Sequence, residues 1–254
     1  MTKVRDVLAK IEERFPREIA ASGDRVGLLV GDLDAPVTKV VIALDPSYGV
    51  IDFAISKGAE LIIAHHPIFL PDDCFAFTDE NNESKRMLAL ANNKLNFIAM
   101  HTNLDAGAGG INDMLLQKLV VFPEFNLSGG LLKGGKIEKC DFCTFIERVK
   151  TAFDVDFVLK VGDLAKEINT VAVSSGGASS MTTAAFAAGA DLFFTGEIKH
   201  SDAIFARENN MCVLAVGHFA TEIVCKEIFF ELLDEQFEGV ELILADEAPS
   251  AKAI

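Results

Sequence analysis

Short apolar runs alternate along the chain with stretches whose hydrophobic residues recur every three or four positions. Lys39–Leu44, Glu60–Ala64, Asn96–Met100 and Met211–Val216 are brief, uncharged in their centres and rich in Val, Ile and Phe, and they read as buried parallel strands. Thr170–Val173 and Asp191–Thr195 read as strands of a second group. Helical spacing fills the intervals, as in Val50–Lys57, Ser84–Asn92, Asn112–Leu119 and Phe142–Phe153. Strand and helix alternating in this way predict an α/β fold, with largely parallel or mixed sheets joined by right-handed crossovers.

Pro123 to Gly135 carries Pro123, Gly129, Gly130, Gly134 and Gly135 and little periodicity, so it reads as a connection between domains. The expected division is residues 1–125 plus 212–254 as one α/β domain and 126–211 as a second. No internal repeat or low-complexity tract interrupts the pattern.

Composition narrows the class of protein. A chain of 254 residues, 50% hydrophobic and 24% charged, can bury a sizeable core. With 38 acidic and 23 basic residues the formal charge is −15, which disfavours nucleic acid and anionic lipid, since both need Lys and Arg to neutralise them. A small anionic substrate stays compatible if bound cations offset the field locally. Val4, Val7, Leu8 and Ile11 form one stripe among charged neighbours before Pro16, which is an amphipathic helix and lacks the apolar centre of a signal peptide. The longest apolar stretch, Ala184–Phe194, contains Gly189 and Asp191 and is too short to span a bilayer. Five cysteines without a secretory signal suggest reduced thiols, hence a cytoplasmic protein.

The chemistry-capable residues fall in one kind of place. Of five histidines, four follow an apolar run directly. Glu60-Leu-Ile-Ile-Ala-His65-His66-Pro67 sets two at a strand end, Asn96-Phe-Ile-Ala-Met-His101-Thr-Asn-Leu-Asp105 sets a third with a carboxylate four residues on, and Cys212-Val-Leu-Ala-Val-Gly-His218-Phe-Ala-Thr-Glu222 repeats that spacing. Ligands of open parallel sheets bind outside the carboxyl ends of the strands. A helix starting at His218 would point it and Glu222 to one side. Three or four imidazoles and two carboxylates exceed one tetrahedral zinc and suit two adjacent cations. Taken singly, each has a plainer reading: a strand-end histidine commonly bonds to backbone, and His-His-Pro can be a turn.

These segments resemble the Nif-three-like family, also known as GTP cyclohydrolase 1 type 2 homologues. The likeness rests on His65-His66-Pro67, His101-Thr-Asn-Leu-Asp105, Gly109-Gly-Ile-Asn112-Asp113, Thr195-Gly-Glu197 and Gly217-His-Phe-Ala-Thr-Glu222, in that order. It implies two α/β domains and a dinuclear centre of two divalent metal ions, with His65, His66, Asp105, His218 and Glu222 as the metal ligands. It also implies a ring-shaped homohexamer. Longer members carry an inserted third domain, for which the connection ending before Thr170 leaves no room. One segment departs: the family's Trp-Asp-Asn-like run before Gly-Leu is Gly23-Asp24-Arg25-Val26-Gly27-Leu28 here, and the chain has no Trp. Arg25 in place of a neutral amide is expected to alter which substrate fits.

Other features weigh less. Ser174-Ser-Gly-Gly-Ala-Ser-Ser180 lacks the P-loop and dinucleotide patterns and reads first as a tight βα turn, with an anion contact as the alternative. Cys140-x-x-Cys143 has no second pair and reads as packing. His200 reads as a surface helix start. His101 and Glu197 are candidate catalytic groups, as proton shuttles or as residues that orient ligands.

The expected function is a metal-dependent hydrolase acting on a nucleotide or related small molecule, with GTP-type ring opening suggested by the family name alone. The alternative is a non-enzymatic metal-binding or metal-delivery protein, or an oligomeric scaffold. The metal, whether zinc, iron, manganese or nickel, does not follow from nitrogen and oxygen donors.

Overall fold

Apolar runs too short for helices became the middles of two sheets. The computed structural model describes residues 1–68 and 78–251. The fifth cysteine, Cys74, lies outside them. The strands are β1 (Gly27–Val30), β2 (Lys39–Ala43), β3 (Leu61–Ala64), β4 (Asn96–Ala99), β5 (Phe122–Leu127), β6 (Leu132–Asp141), β7 (Leu159–Val161), β8 (Glu167–Ser174), β9 (Leu192–Thr195), β10 (Cys212–Ala215) and β11 (Glu241–Leu244). They form a five-stranded sheet in the order β1-β4-β3-β2-β11 and a six-stranded sheet in the order β5-β6-β8-β9-β10-β7. The chain divides into two compact units, residues 1–107 with 225–248 and residues 108–224 with 249–254.

In the first unit β11, β2, β3 and β4 run parallel, and β1 joins the edge antiparallel to β4. All residues of β3 and β4 are buried, which is why their sequences show no polar alternation. Val41, Ala43, Ile62, Ala64, Phe97 and Ala99 share one core with Ile51 and Ala54 of the helix Tyr48–Lys57 and Leu90 of the helix Asn82–Asn92. The stripe Val4, Val7, Leu8 and Ile11 is buried as its spacing required. Ile228, Phe229 and Leu233 are buried on the helix Cys225–Leu233.

The second unit is mixed. β8, β9 and β10 are parallel, whereas β6 pairs antiparallel with both β5 and β8, and β7 pairs antiparallel with β10. Two sequence expectations are corrected here. Met211–Val216, grouped with the strands of the first sheet, supplies β10 of the six-stranded sheet, beside β9. A fully apolar run carries no mark of which sheet it will join. Pro123–Gly135, read as a connection, is the hairpin of β5 and β6. Its proline and glycines are structural: Pro123 is on an edge strand, where a missing N–H is tolerated. A Cβ on Gly135 would stand 1.9 Å from the Phe122 carbonyl oxygen, so only glycine lets these strands approach.

The helix Phe142–Phe153 buries Phe142, Phe145, Ile146 and Val149, each burial of this kind being worth about 1.5–3 kcal/mol. Asp141 caps it by accepting from the Thr144 N–H at 2.8 Å. Among the described residues, no helix is long and apolar enough to cross a membrane.

Candidate metal centre

Each unit carries its own set of donors, assembled by the strand ends that its sequence marks. In the first unit β3 stops at His65, which is fully buried. Its Nδ1 lies 2.9 Å from the carbonyl oxygen of Met100, just beyond β4. A carbonyl can only accept, so Nδ1 carries the proton and Nε2 presents the lone pair. Asp105, on the short helix Thr102–Ala106, places Oδ1 3.8 Å from that Nε2 and is itself buried.

His66 follows the same rule with a different partner. Its Nδ1 meets Oδ1 of Asp45 at 2.7 Å. Asp45 stands just past β2 and is held by Glu247, whose carboxylate accepts from the main-chain N–H groups of Leu44 and Asp45. His101 places Nδ1 2.9 Å from Oδ1 of Asp24, and Asp24 also accepts from the N–H and hydroxyl of Thr102. Burial would push the Asp24 carboxyl up, but the hydrogen bonds from His101 and Thr102 outweigh it and hold the group well below the usual carboxylate range. The three rings pack with centroids 4.9, 5.2 and 5.8 Å apart, and one donor atom from each of His65, His66 and His101 lies within 4.8 Å of the others.

In the second unit β10 leads through Gly217 into the helix His218–Glu222. His218 Nδ1 meets Glu197 Oε1 at 2.9 Å, and its Nε2 meets Glu222 Oε2 at 2.9 Å. With carboxylates at both nitrogens, one ring nitrogen can face its oxygen only through a proton or a cation. Glu222 is 4% exposed, so such a charge is not simply left to water. The room for it comes from glycine: a Cβ on Gly176, at φ +58°, would stand 1.9 Å from Glu222 Oε1.

Thus the structure brings His65, His66, His101 and Asp105 together in one unit and His218, Glu222 and Glu197 together in the other. Imidazole nitrogen with carboxylate oxygen is the donor chemistry of borderline transition-metal dications. The carboxylates or carbonyl behind each Nδ1 are what a ligating histidine needs to hold its tautomer.

Asp24, Asp45 and Glu247 escaped the sequence reading. Asp45 had a signal, since it ends an apolar strand as the histidines do. Asp24 stands 77 positions from His101 and Glu247 more than 200 from Asp45, so neither had one.

The remaining candidates fall elsewhere. The Ser174–Ser180 loop is a tight turn whose Ser175 and Gly176 amides donate to Asn112 Oδ1 and Thr221 Oγ1, both at 3.0 Å. His200 is exposed at the start of a helix. Cys143 is exposed, Cys140 is half-buried, and burial raises the Cys140 thiol.

Two mixed α/β units with imidazoles at the ends of buried strands define a class of fold with solved relatives. The sequence matches the Duf34/NIF3 (NGG1p interacting factor 3) family over residues 2–250, and the chain belongs to that family. A GTP cyclohydrolase 1 type 2 homolog of Clostridium acetobutylicum is 32% identical over 233 residues, covering 87% of this chain and 85% of that protein. Reduced HcgD from Methanocaldococcus jannaschii is 31% identical with a TM-score of 0.85, covering 97% of this chain and 98% of that one. The fold is also shared with Staphylococcus aureus hypothetical protein SA1388, at 24% identity and a TM-score of 0.87 over 99% of each chain.

Proposed function

We propose that this chain is a dinuclear metal-dependent hydrolase acting on a nucleotide or related small molecule. The residues assigned to the two cations are His65, His66 and Asp105 of the first unit and His218 and Glu222 of the second. The observation that carries this reading is the common wiring of the histidines. Each Nδ1 is tied to an acceptor, so each Nε2 is turned to the task a metal requires.

When bound, such a pair of cations lowers the pKa of water towards ~7 and polarises the oxygen of an electrophilic carbon or phosphorus. The chain's own residues do the rest. The Met100 carbonyl and Asp45 fix the tautomers of His65 and His66. Glu197 fixes His218 and, at 59% side-chain exposure, is the group placed to relay a proton to the leaving group. The net charge of −15 makes cations the natural anchor for an anionic substrate. Relatives named GTP cyclohydrolase 1 type 2 homolog point to a purine nucleotide as the first substrate to try.

A second reading is metal carriage without turnover, favoured by the 38% exposure of the His218 side chain, which would let a cation exchange. The homohexamer is proposed on the family resemblance, with the edge strand β5 and its 65%-exposed Phe122 as the surface to examine.

Elemental analysis of chelator-free protein, followed by a screen of nucleotides and phosphoesters, tests the reading. About two equivalents per chain and turnover abolished by Asp105→Ala would support the hydrolase. Exchangeable metal without turnover would favour carriage, and absence of metal would overturn both.

A further inference from the structure

We propose that the groove beside the helix Phe142–Phe153 binds a small amphipathic anion, an alkyl or aryl carboxylate. The groove lies wholly within the second unit, and the inference does not depend on the metal reading. Its cavity is about 960 Å³, the size of a small-ligand site, and its floor is apolar. Leu119, Ile137, Phe145 and Val149 form that floor and are all buried.

Two apolar residues on the same groove are left uncovered. Val120 is 68% exposed and Phe122 65%. Val120 also stands at φ +55°, just past the end of the helix Ile111–Lys118, where glycine or asparagine is the usual residue. A β-branched side chain is costly in that conformation. Packing within the unit does not offset the cost, because the side chain is mostly in water. An apolar occupant of the groove would cover it.

The charged residues lining the groove set the sign of that occupant. Two of the three carboxylates are already engaged. Asp141 accepts from the Thr144 N–H and hydroxyl at 2.8 and 2.9 Å, and Glu147 lies 3.6 Å from Lys150 Nζ. Among the described residues, Lys118 and Arg148 form no hydrogen bond or ion pair, and Glu138 is the one uncommitted carboxylate. Two free cations against one free anion, over an apolar floor, stand out in a chain of charge −15. That arrangement complements an apolar body ending in a carboxylate.

Decanoate is the probe, with decyltrimethylammonium as its cationic counterpart, each titrated below its micellar concentration into the full-length protein as purified. The overall negative charge favours the ammonium, so a preference for decanoate has to come from local cations. Decanoate should bind at least about fivefold more tightly than the ammonium and should slow thiol labelling of Cys143, which lines the groove. Arg148→Gln should weaken decanoate about three- to tenfold and leave the ammonium within twofold. Val120→Gly should weaken both probes while leaving the melting temperature equal or higher, since glycine relieves the strained position. Absence of decanoate binding, or equal affinity for the two probes, would overturn the proposal. Decanoate binding lost in Asp105→Ala but kept in Arg148→Gln would place the anion at the metal centre, overturning this site and leaving the metal reading intact. Light scattering that shows Val120→Gly dissociating an oligomer, with decanoate bound only by the dissociated chain, would assign the groove to a second copy instead.

Discussion

Glu222 Oε1 lies 1.9 Å from the point where a β-carbon on Gly176 would stand, so the buried carboxylate occupies space that only glycine concedes. Gly176 is also at φ +58°, and its N–H donates to Thr221 Oγ1 one residue before Glu222. The turn and the carboxylate are one arrangement. Gly176→Ala should therefore displace Glu222 and cost about 1–3 kcal/mol of stability through overpacking, with backbone strain adding to it. Denaturant midpoints measure the first effect. A metal titration at matched folded fraction measures the second, and metal affinity unchanged within twofold would mean that Glu222 is not a ligand.

Glu247 is predicted to matter for a site it does not touch. Its carboxylate, 8% exposed, accepts at 2.9 and 3.0 Å from the N–H groups of Leu44 and Asp45 and pairs with Lys226 at 3.5 Å. Asp45 in turn holds His66. Glu247→Ala strands two partly buried donors and should lower stability by about 1–3 kcal/mol. The variant should also weaken metal binding more than Glu241→Ala, a substitution on an exposed strand position. Equal metal affinity in the two variants would disconnect Glu247 from His66.

Acid sensitivity has an identifiable contributor far from the histidines. Burial would raise the Glu60 carboxyl, but hydrogen bonds from the Thr38 and Lys39 N–H groups and the Thr38 hydroxyl lower it below its ordinary 4.5. A depressed folded-state value contributes stability that is present above pH 4.5 and lost as the pH falls through the folded value. Glu60→Gln should flatten that part of the stability profile between pH 6 and pH 3 and leave neutral-pH metal binding unchanged. Thermal unfolding across the range is the measurement. A slope equal to the wild type's would remove Glu60 from the account.

The cysteines should separate by reactivity. Cys212 is fully buried and burial pushes its thiol up to about 11, whereas Cys143 is exposed. A thiol-specific reagent at pH 8 should label Cys143 within minutes and spare Cys212 until the chain unfolds. Because the folded value of Cys212 exceeds the ordinary 9.0, its contribution to stability holds below pH 9 and is lost as the pH rises towards about 11. Labelling of Cys212 in native protein, read by peptide mass, would contradict this.

What the sequence made legible were features written in local periodicity. The helix Phe142–Phe153 was readable to the residue from its apolar spacing, and the structure adds the Asp141 cap at its start. The strand ends carrying His65, His101 and His218 were readable because a continuous apolar run has to stop somewhere: two stop at a histidine and the third at Gly217, just before His218. Sheet membership was not: Cys212–Ala215 is as apolar as Asn96–Ala99, and only tertiary pairing sends the two to different sheets. The β5–β6 hairpin was hidden for a related reason. Gly134 and Gly135 lie in strands because of what sits against them, Phe125 and the Phe122 carbonyl, and not through any turn-forming tendency of their own. Asp24 and Glu247 reach their partners across most of the first unit's sequence, a distance over which a pattern of neighbours is silent.

The most direct test of the central claim is anomalous diffraction at the cobalt edge from crystals of chelator-stripped protein soaked with cobalt(II). The account predicts two cobalt peaks per chain, at the side chains of His65, His66, Asp105, His218 and Glu222. An absence of peaks at these side chains, or a single ion per chain, would contradict it.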